Sequence, residues 1–351
     1  MAAIIVVLFH TDHGIFDLPK YFGRRQFGIL LDFGPGALDF FFVLSGFIIL
    51  HVHRADIDRP AALGAYLWRR FSRVYLFYWV ILAGVMLIFF FVPQFGLGFQ
   101  RDPDVIIRSI FLFPHPEFHM VVGVAWTMVY EILFYCLFAV LILNKRLGLS
   151  LFLIWAIGLL ALPRSENYLW NFVFSDIHLR FLLGMGACML LARGWIPAPR
   201  LVAGLGAALF AATAAWHNLE GASLAPVFQL LGYALGSAML IAGLAQAERD
   251  GLVPATPAWL AYLGTAAYSI YLVHFFALSA IAKVSKVLQL ELYLPLMVLF
   301  FLHVVGSIGV GCLCHHLVEN PIHNWTKRFF RRVRPVVIVP VATVPEVREA
   351  A

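Results

Sequence analysis

The sequence contains little charge. Only 13% of its 351 residues are Asp, Glu, Lys or Arg, which is about half the share found in an average soluble domain. A soluble fold of this length needs a polar surface that so few charges cannot supply, and a disordered chain would need even more charge. The composition excludes both classes and leaves a protein that lies mainly in a membrane.

Cysteine is also scarce, and the four cysteines, Cys136, Cys188, Cys312 and Cys314, all lie in apolar runs. A disulfide framework is therefore not expected. Cys312 and His316 share a helix face, but no second pair of ligands accompanies them, so we expect no metal site. The sequence has no phosphate-binding glycine loop, no nucleophile elbow and no nucleic-acid-binding motif, so nucleic acid is not an expected partner.

Apolar and aromatic residues make up 62% of the chain. They form unbroken runs of about 20 residues, the length of a membrane-spanning helix, and not the alternation of a lipid-facing barrel. We predict an all-α, polytopic membrane helix bundle with about ten transmembrane helices. Nine of them are predicted near residues 33–53, 74–92, 121–143, 147–162, 177–192, 201–217, 226–247, 259–283 and 293–318.

The first apolar run, residues 1–10, is too short to span a membrane. As a helix it would rise about 15 Å, half the thickness of a hydrocarbon core. It has no basic segment before it and no small-residue cleavage site after it, so it is not a signal peptide. We expect this helix to be truncated by the assigned translation start and to be completed by upstream residues.

Basic residues are distributed unevenly between the predicted loops. With loop 54–73 in the cytoplasm, the cytoplasmic segments hold 16 Lys and Arg and the outer segments hold 7, which places both termini in the cytoplasm. The outer loop 11–32 runs against this trend. We predict one membrane domain over residues 1–325, followed by a basic cytoplasmic tail, 326–351, that is disordered or lies on anionic lipid.

Among the ionisable residues within or at the ends of the predicted spans, four stand out: His10, Asp39, Glu131 and His274. A charge in the middle of a spanning helix costs about 2.5–3.5 kcal/mol, so such residues are candidates for function. His10 also suits a helix end at the membrane interface, Asp39 a helix N-terminus, and His274 a structural hydrogen bond to a neighbouring helix. A cluster of this kind serves either proton transfer or the proton relay of a transporter.

Glu131 is the deepest of the four in its predicted span. Thr127, Glu131 and Tyr135 follow one another at a spacing of four residues and therefore share a helix face. This pattern predicts a polar stripe that points into the bundle or a cavity, away from lipid, and a functional role is favoured.

Arg69, Arg70 and Arg73 precede the third predicted span at its cytoplasmic end. Positive residues beside a span ordinarily anchor its topology. Arg70 and Arg73 also share a helix face, so the two guanidinium groups are placed to clamp a phosphate.

These residues fall in ordered blocks that resemble the acyltransferase-3 family of multi-span membrane O-acyltransferases, and in particular its exopolysaccharide-modifying subgroup. The resemblance extends over residues 1–325. The blocks are residues 6–10, 39–47, 69–75, 126–127 with 131–135, 268–274 and 319–321.

The resemblance implies an acyl-CoA donor, acetyl-CoA above all, that enters from the cytoplasm of a bacterium and a saccharide acceptor, free or lipid-linked, on the outer side of its inner membrane. The family's first-helix motif is a basic residue, ten residues and a histidine. The histidine maps to His10, whereas the basic residue would fall two positions before Met1. The family's R-x-x-R motif maps to Arg70 and Arg73, and no permanently bound cofactor is implied.

The resulting hypothesis is transfer of an acetyl or succinyl group to a sugar hydroxyl, with His10 as the general base. Asp39 or Glu131 would orient His10, and His274 is the fourth catalytic candidate. Arg69, Arg70 and Arg73 would hold the nucleotide end of acyl-CoA. Two alternatives stay open at this point, a proton-coupled transporter of saccharides or lipids and a non-catalytic subunit of a polysaccharide-synthesis complex.

Overall fold

A computed structural model describes residues 2–220 and 225–333, and within those residues the chain is helical and has no strands. Eight helical segments of the described residues are long and apolar enough to cross a membrane. The shorter apolar segment Ala2–Phe16 and the 17-residue helix Lys145–Ala161 accompany them. The prediction of an all-α, polytopic helix bundle is confirmed.

The first half of the chain supplies eight α-helices. Short turns join most of them, and a longer irregular segment, 112–125, separates α4 from α5. The bounds are Ala2–Thr11 (α1), Gly36–His53 (α2), Leu63–Phe91 (α3), Pro103–Phe111 (α4), Trp126–Leu143 (α5), Lys145–Ala161 (α6), Tyr168–Val173 (α7) and Ile177–Ala192 (α8).

The second half supplies seven more α-helices in the described residues. The predicted span 259–283 is divided at Ala266 into two helices, and only the second, α13, is long enough to cross a membrane. The bounds are Pro199–Glu220 (α9), Pro226–Gln229 (α10), Leu235–Arg249 (α11), Ala258–Thr265 (α12), Ala267–Val287 (α13), Leu296–Cys314 (α14) and Asn320–Val333 (α15).

The first helical segment extends beyond the predicted run 1–10. A wide π-helical turn, Asp12–Phe16, continues α1 without a break. Thr11 supports this continuation because its hydroxyl donates to the carbonyl oxygen of Val7 at 2.7 Å. The turn therefore keeps His10 inside a helical segment and not at its end.

The most extensive helix contacts are α2 with α8, α9 with α11, and α13 with α14. Two glycines allow α2 and α8 to approach closely. A Cβ atom at Gly46 would collide with the carbonyl oxygen of Phe181, and one at Gly184 with the carbonyl oxygen of Val43. Small residues at a helix interface are the usual means by which membrane helices pack backbone to backbone.

The loops gather at two ends of the bundle. At one end, here called the arginine end, the backbone N–H of Lys145 donates to the Asp58 carboxylate at 3.1 Å. This contact joins the loop before α3 to the loop before α6. At the opposite end, Arg108 donates to the Tyr168 hydroxyl at 3.0 Å, which joins α4 to α7.

The last described helix, α15, extends into the predicted tail. It runs through Val333, so residues 326–333 are helical. A π-helical turn, His315–Glu319, joins the end of α14 to the start of α15. Helical structure therefore continues without a break past the end of the apolar run. The remainder of the predicted tail, 334–351, lies outside the described residues.

Candidate functional site

His10 and His274 meet in the interior of the bundle. Their ring centroids lie 5.1 Å apart, with an angle of 36° between the rings, because α1 packs against α13. His10 lines a cavity of about 370 Å³, here called the imidazole cavity, and Tyr271 and Trp126 are also in its wall. Two predicted site residues from opposite ends of the sequence are therefore brought together.

The hydrogen bond of His274 fixes its tautomer. Nδ1 lies 2.5 Å from the carbonyl oxygen of Tyr271, and because a carbonyl only accepts, Nδ1 carries the proton. Nε2 is then an acceptor, and it is buried with no hydrogen-bond partner in the part of the chain that the structure describes. This buried ring nitrogen belongs to a ring that lies beside the ring of His10, and it is available to accept a hydrogen bond.

A network beside His10 contains residues that sequence reasoning missed. Nε2 of His13 lies 2.7 Å from the Asp32 carboxylate, and the His13 ring stacks on Phe9 at 4.3 Å. Arg25 donates to Asp32 and to the buried carboxylate of Asp12. One feature of the sequence could have revealed this network: loop 11–32 holds more basic residues than an outer loop should. The structure explains one of them, because Arg25 pairs with the carboxylates of Asp12 and Asp32.

Glu131 lies in the predicted polar stripe, and the stripe points into the bundle. Its carboxylate accepts from Ser45 at 2.7 Å and from the Tyr135 hydroxyl. One turn earlier, the Thr127 hydroxyl lies 2.9 Å from that of Tyr271. The stripe therefore leads from the wall of the imidazole cavity toward the arginine end.

Arg70 continues this polar path at the arginine end. It is buried, and its guanidinium carbon lies 5.2 Å from the centre of the Tyr135 ring and 5.9 Å from that of Tyr66. The Tyr66 hydroxyl in turn donates to the backbone carbonyl of Tyr135 at 2.9 Å. Nε of Arg70 has no hydrogen-bond partner among the described residues, so the group keeps donor capacity.

The other two arginines of the cluster are exposed. Arg69 lies 3.4 Å from the Asp56 carboxylate, which also contacts His53 at 2.7 Å. Arg73 follows Arg70 on the same helix face, at the surface. One buried guanidinium and two exposed ones are thus presented together at the arginine end.

Asp39, one of the two candidates to orient His10, is engaged in an ion pair. Its carboxylate accepts from Arg180 across the interface between α2 and α8, and Arg180 also donates to Asp176 at 3.0 Å. Asp39 and Arg180 are each about 5% exposed. A cation within a predicted span needs a partner, so Arg180 was the signal that Asp39 belongs to an ion pair.

The described residues contain eight helical segments able to cross a membrane and two shorter apolar ones, and a cavity among them is lined by an imidazole. This defines a polytopic membrane protein with a histidine-lined cavity. No group of three or more His, Cys, Asp or Glu in the described part of the chain is arranged to hold a metal ion. Residues 1–316 match the family described as the acyltransferase domain. The chain belongs to this family, acyltransferase-3, and the resemblance drawn from its motifs is confirmed.

The chain is similar in sequence to the exopolysaccharide production protein ExoZ of Rhizobium meliloti (strain 1021). The two sequences are 29% identical over 302 residues, which cover 82% of this chain and 89% of the relative. No solved structure matches the chain.

Proposed function

We propose that the protein is a membrane-bound O-acyltransferase that moves an acetyl or succinyl group from cytoplasmic acyl-CoA to a hydroxyl of an exopolysaccharide sugar. The observation that carries the proposal is the placement of His10 in the wall of a cavity, with His274 directly behind it. Membership of the acyltransferase family supports the reaction class. The name of the relative supports a saccharide acceptor.

The proposed reaction needs no further reactant. The unprotonated nitrogen of His10 takes the proton of a sugar hydroxyl as its oxygen attacks the thioester carbonyl carbon. The carbon–sulfur bond then breaks, and the imidazolium returns the proton to the departing thiolate. The products are a sugar ester and the free thiol of coenzyme A.

His274 is the proposed partner of His10. Its Nε2 is an acceptor because Nδ1 donates to the Tyr271 carbonyl, so it can accept from the N–H of His10 and leave the other His10 nitrogen unprotonated toward the sugar. Glu131 is engaged with Ser45 and Tyr135. In this proposal Glu131 therefore supports the polar path and does not orient His10.

The donor is proposed to bind at the arginine end. The phosphates of acyl-CoA are anionic, and Arg70 and Arg73 present two guanidinium groups on one helix face, with Arg69 beside them. Guanidinium groups bind phosphate through paired, charge-assisted hydrogen bonds. The thioester arm would follow the path past Tyr135 and Glu131 to the imidazole cavity.

The proposed location is the bacterial inner membrane, with the arginine end and both termini in the cytoplasm. The acceptor, free or lipid-linked, then approaches from the outer side. In this orientation the protein joins a donor that cannot cross lipid to an acceptor that lies outside the cell.

The test uses the purified protein in lipid nanodiscs with radiolabelled acetyl-CoA or succinyl-CoA and de-esterified exopolysaccharide of the host strain. We expect release of coenzyme A thiol together with label in the polysaccharide. A transporter or a non-catalytic subunit would release no thiol, and that result would refute the proposal. Mass spectrometry of the polysaccharide from cells with and without the gene would identify the acyl group.

A further inference from the structure

A second, larger cavity lies beside the imidazole cavity at the end of the bundle opposite the arginines. Its volume is about 460 Å³, which is within the range of small-molecule sites. The segment 114–120, the start of α5 and the segment 162–176 enclose it. We call it the lateral cavity.

Aromatic rings form much of the wall of the lateral cavity. Trp126 meets Phe118 edge-on at 6.0 Å, and Tyr130 lies 4.8 Å from the Phe172 ring. Flat rings of this kind pack against the C–H face of a sugar ring, whose carbon-bound hydrogens form an apolar surface. Aromatic residues also bury large areas while their own geometry stays rigid.

Asp176 supplies a fixed polar group in the same wall. Its carboxylate contacts Arg180 at 3.0 Å, and 39% of its side chain is exposed. Because Arg180 also binds Asp39, two carboxylates share one guanidinium and leave a net negative charge. Asp176 is therefore held in place and keeps acceptor capacity for a hydroxyl group.

The rim of the lateral cavity is held together by hydrogen bonds. Arg108 donates to the Pro114 carbonyl at 2.8 Å and to the Tyr168 hydroxyl, so the two wall segments are joined. The Asn171 amide makes two hydrogen bonds to the backbone of Ser165, at 2.8 and 2.6 Å. The cavity is thus shaped before a ligand enters, which reduces the entropic cost of binding.

Trp126 belongs to both cavities. A ligand that stacks on this residue in the lateral cavity therefore borders the cavity into which His10 points. Partial burial, with the neighbouring His119 and Arg108, lowers the pKa of His115 at the rim, so this side chain stays neutral near pH 7. Arg164 also lines the lateral cavity, so its wall offers a cationic donor, the Asp176 acceptor and aromatic rings, a combination that suits a polyhydroxylated ligand.

We infer that the lateral cavity is the acceptor subsite and binds one sugar residue of the polysaccharide. Trp126 stacks on the sugar ring, and Asp176 accepts a hydrogen bond from one hydroxyl. A neighbouring hydroxyl is thereby directed toward His10. This inference rests on the proposed function and assigns it two specificity-determining residues.

The experiment compares Asp176→Asn and Trp126→Phe with the control Glu166→Gln, which removes an exposed carboxylate in the same loop outside the cavity wall. The probe is the repeat-unit oligosaccharide of the host exopolysaccharide, freed of esters with mild alkali. We expect the KM for this probe to rise about tenfold in Asp176→Asn, equivalent to about 1.4 kcal/mol, and about threefold in Trp126→Phe. The KM for acetyl-CoA should stay within twofold, and Glu166→Gln should match the wild type.

Binding of the same probe is also measured directly, by microscale thermophoresis in nanodiscs without acyl-CoA, and folding is checked by melting temperature. If the wild type transfers acyl groups and Asp176→Asn keeps the wild-type KM and affinity for the probe, the subsite assignment is wrong and the proposed function stands. If the wild type binds the probe, Asp176→Asn does not, and no acyl transfer occurs, the saccharide site stands and the proposed function fails. Equal affinity of both proteins overturns the assignment whatever the activity.

Discussion

Arg180 of α8 donates a hydrogen bond to the carboxylate of Asp39 of α2, and both side chains are buried in the bundle. This ion pair crosses the interface between α2 and α8, where Gly46 and Gly184 also allow the two backbones to approach closely. It also holds Asp176 at the lateral cavity. The pair thus connects the packing of two spanning helices with the wall of the lateral cavity.

Removal of one partner of this pair should destabilise the protein strongly. Asp39→Leu leaves a buried guanidinium with only the half-exposed Asp176, and an uncompensated buried charge costs about 3–5 kcal/mol. We expect a lower melting temperature in detergent than for the wild type. The double variant Asp39→Leu with Arg180→Leu should recover much of the loss, and a double variant no more stable than Asp39→Leu would contradict this account.

His10→Gln should abolish acyl transfer while the protein still inserts and folds. A general base contributes about 10²- to 10⁴-fold to a rate, and glutamine keeps the size of the side chain without its basicity. The measurement is thiol release from acetyl-CoA with the de-esterified polysaccharide as acceptor. Normal O-acylation by a folded His10→Gln protein would refute the role of His10.

His274→Asn tests the partner of His10. The amide retains a polar group near the Tyr271 carbonyl but lacks the ring nitrogen that faces His10, so we expect kcat to fall about tenfold or more. KM values for donor and acceptor should change little, because His274 does not line the imidazole cavity. A proportional rise in both KM values with constant kcat would indicate a structural role only.

Arg70 and Arg69 should differ in their effect on the donor. Arg70→Gln removes the buried guanidinium of the polar path, and a charge-assisted hydrogen bond to phosphate contributes about 1.5–3 kcal/mol. We therefore expect the KM for acetyl-CoA to rise about tenfold or more. The neighbouring substitution Arg69→Gln affects an exposed group beside Asp56 and should raise this KM less, and the reverse order would contradict the donor site.

Gly184→Ala and Gly186→Ala form a matched pair for the packing of α2 against α8. A Cβ atom at Gly184 would overlap the Val43 backbone, whereas one at Gly186 meets no atom of residues 2–220 and 225–333 within 4 Å. Overpacking costs about 1–3 kcal/mol and more where the backbone cannot move. We expect Gly184→Ala to lower the melting temperature and Gly186→Ala to leave it near the wild-type value; equal melting temperatures would show that the helices separate easily.

The sequence could predict features that depend on local patterns. Run length and low charge indicated the helical membrane bundle, and the four-residue spacing of Thr127, Glu131 and Tyr135 indicated the inward polar stripe. Both are local because a helix face follows from spacing alone. Neither prediction required knowledge of which helices are neighbours.

Features that depend on helix neighbours could not be predicted in this way. No spacing indicates that α1 packs against α13, so the contact between His10 and His274 was not expected, although both were candidates. Asp39 was one of two candidates to orient His10, but sequence spacing does not specify which neighbouring helix a side chain faces, and Asp39 pairs with Arg180 instead. His13 and Asp32 were missed because helical structure was expected to stop at His10.

The two cavities are built from different kinds of structure. His10 and His274 project from helices in the interior, whereas much of the lateral cavity wall consists of short segments around residues 114–120 and 162–176. Insertions and replacements in such connecting segments are tolerated far better than changes within packed helices. If the lateral cavity selects the acceptor, substitutions in these two segments would change which polysaccharide is modified. The histidines on the packed helices, and the reaction proposed for them, would stay unchanged.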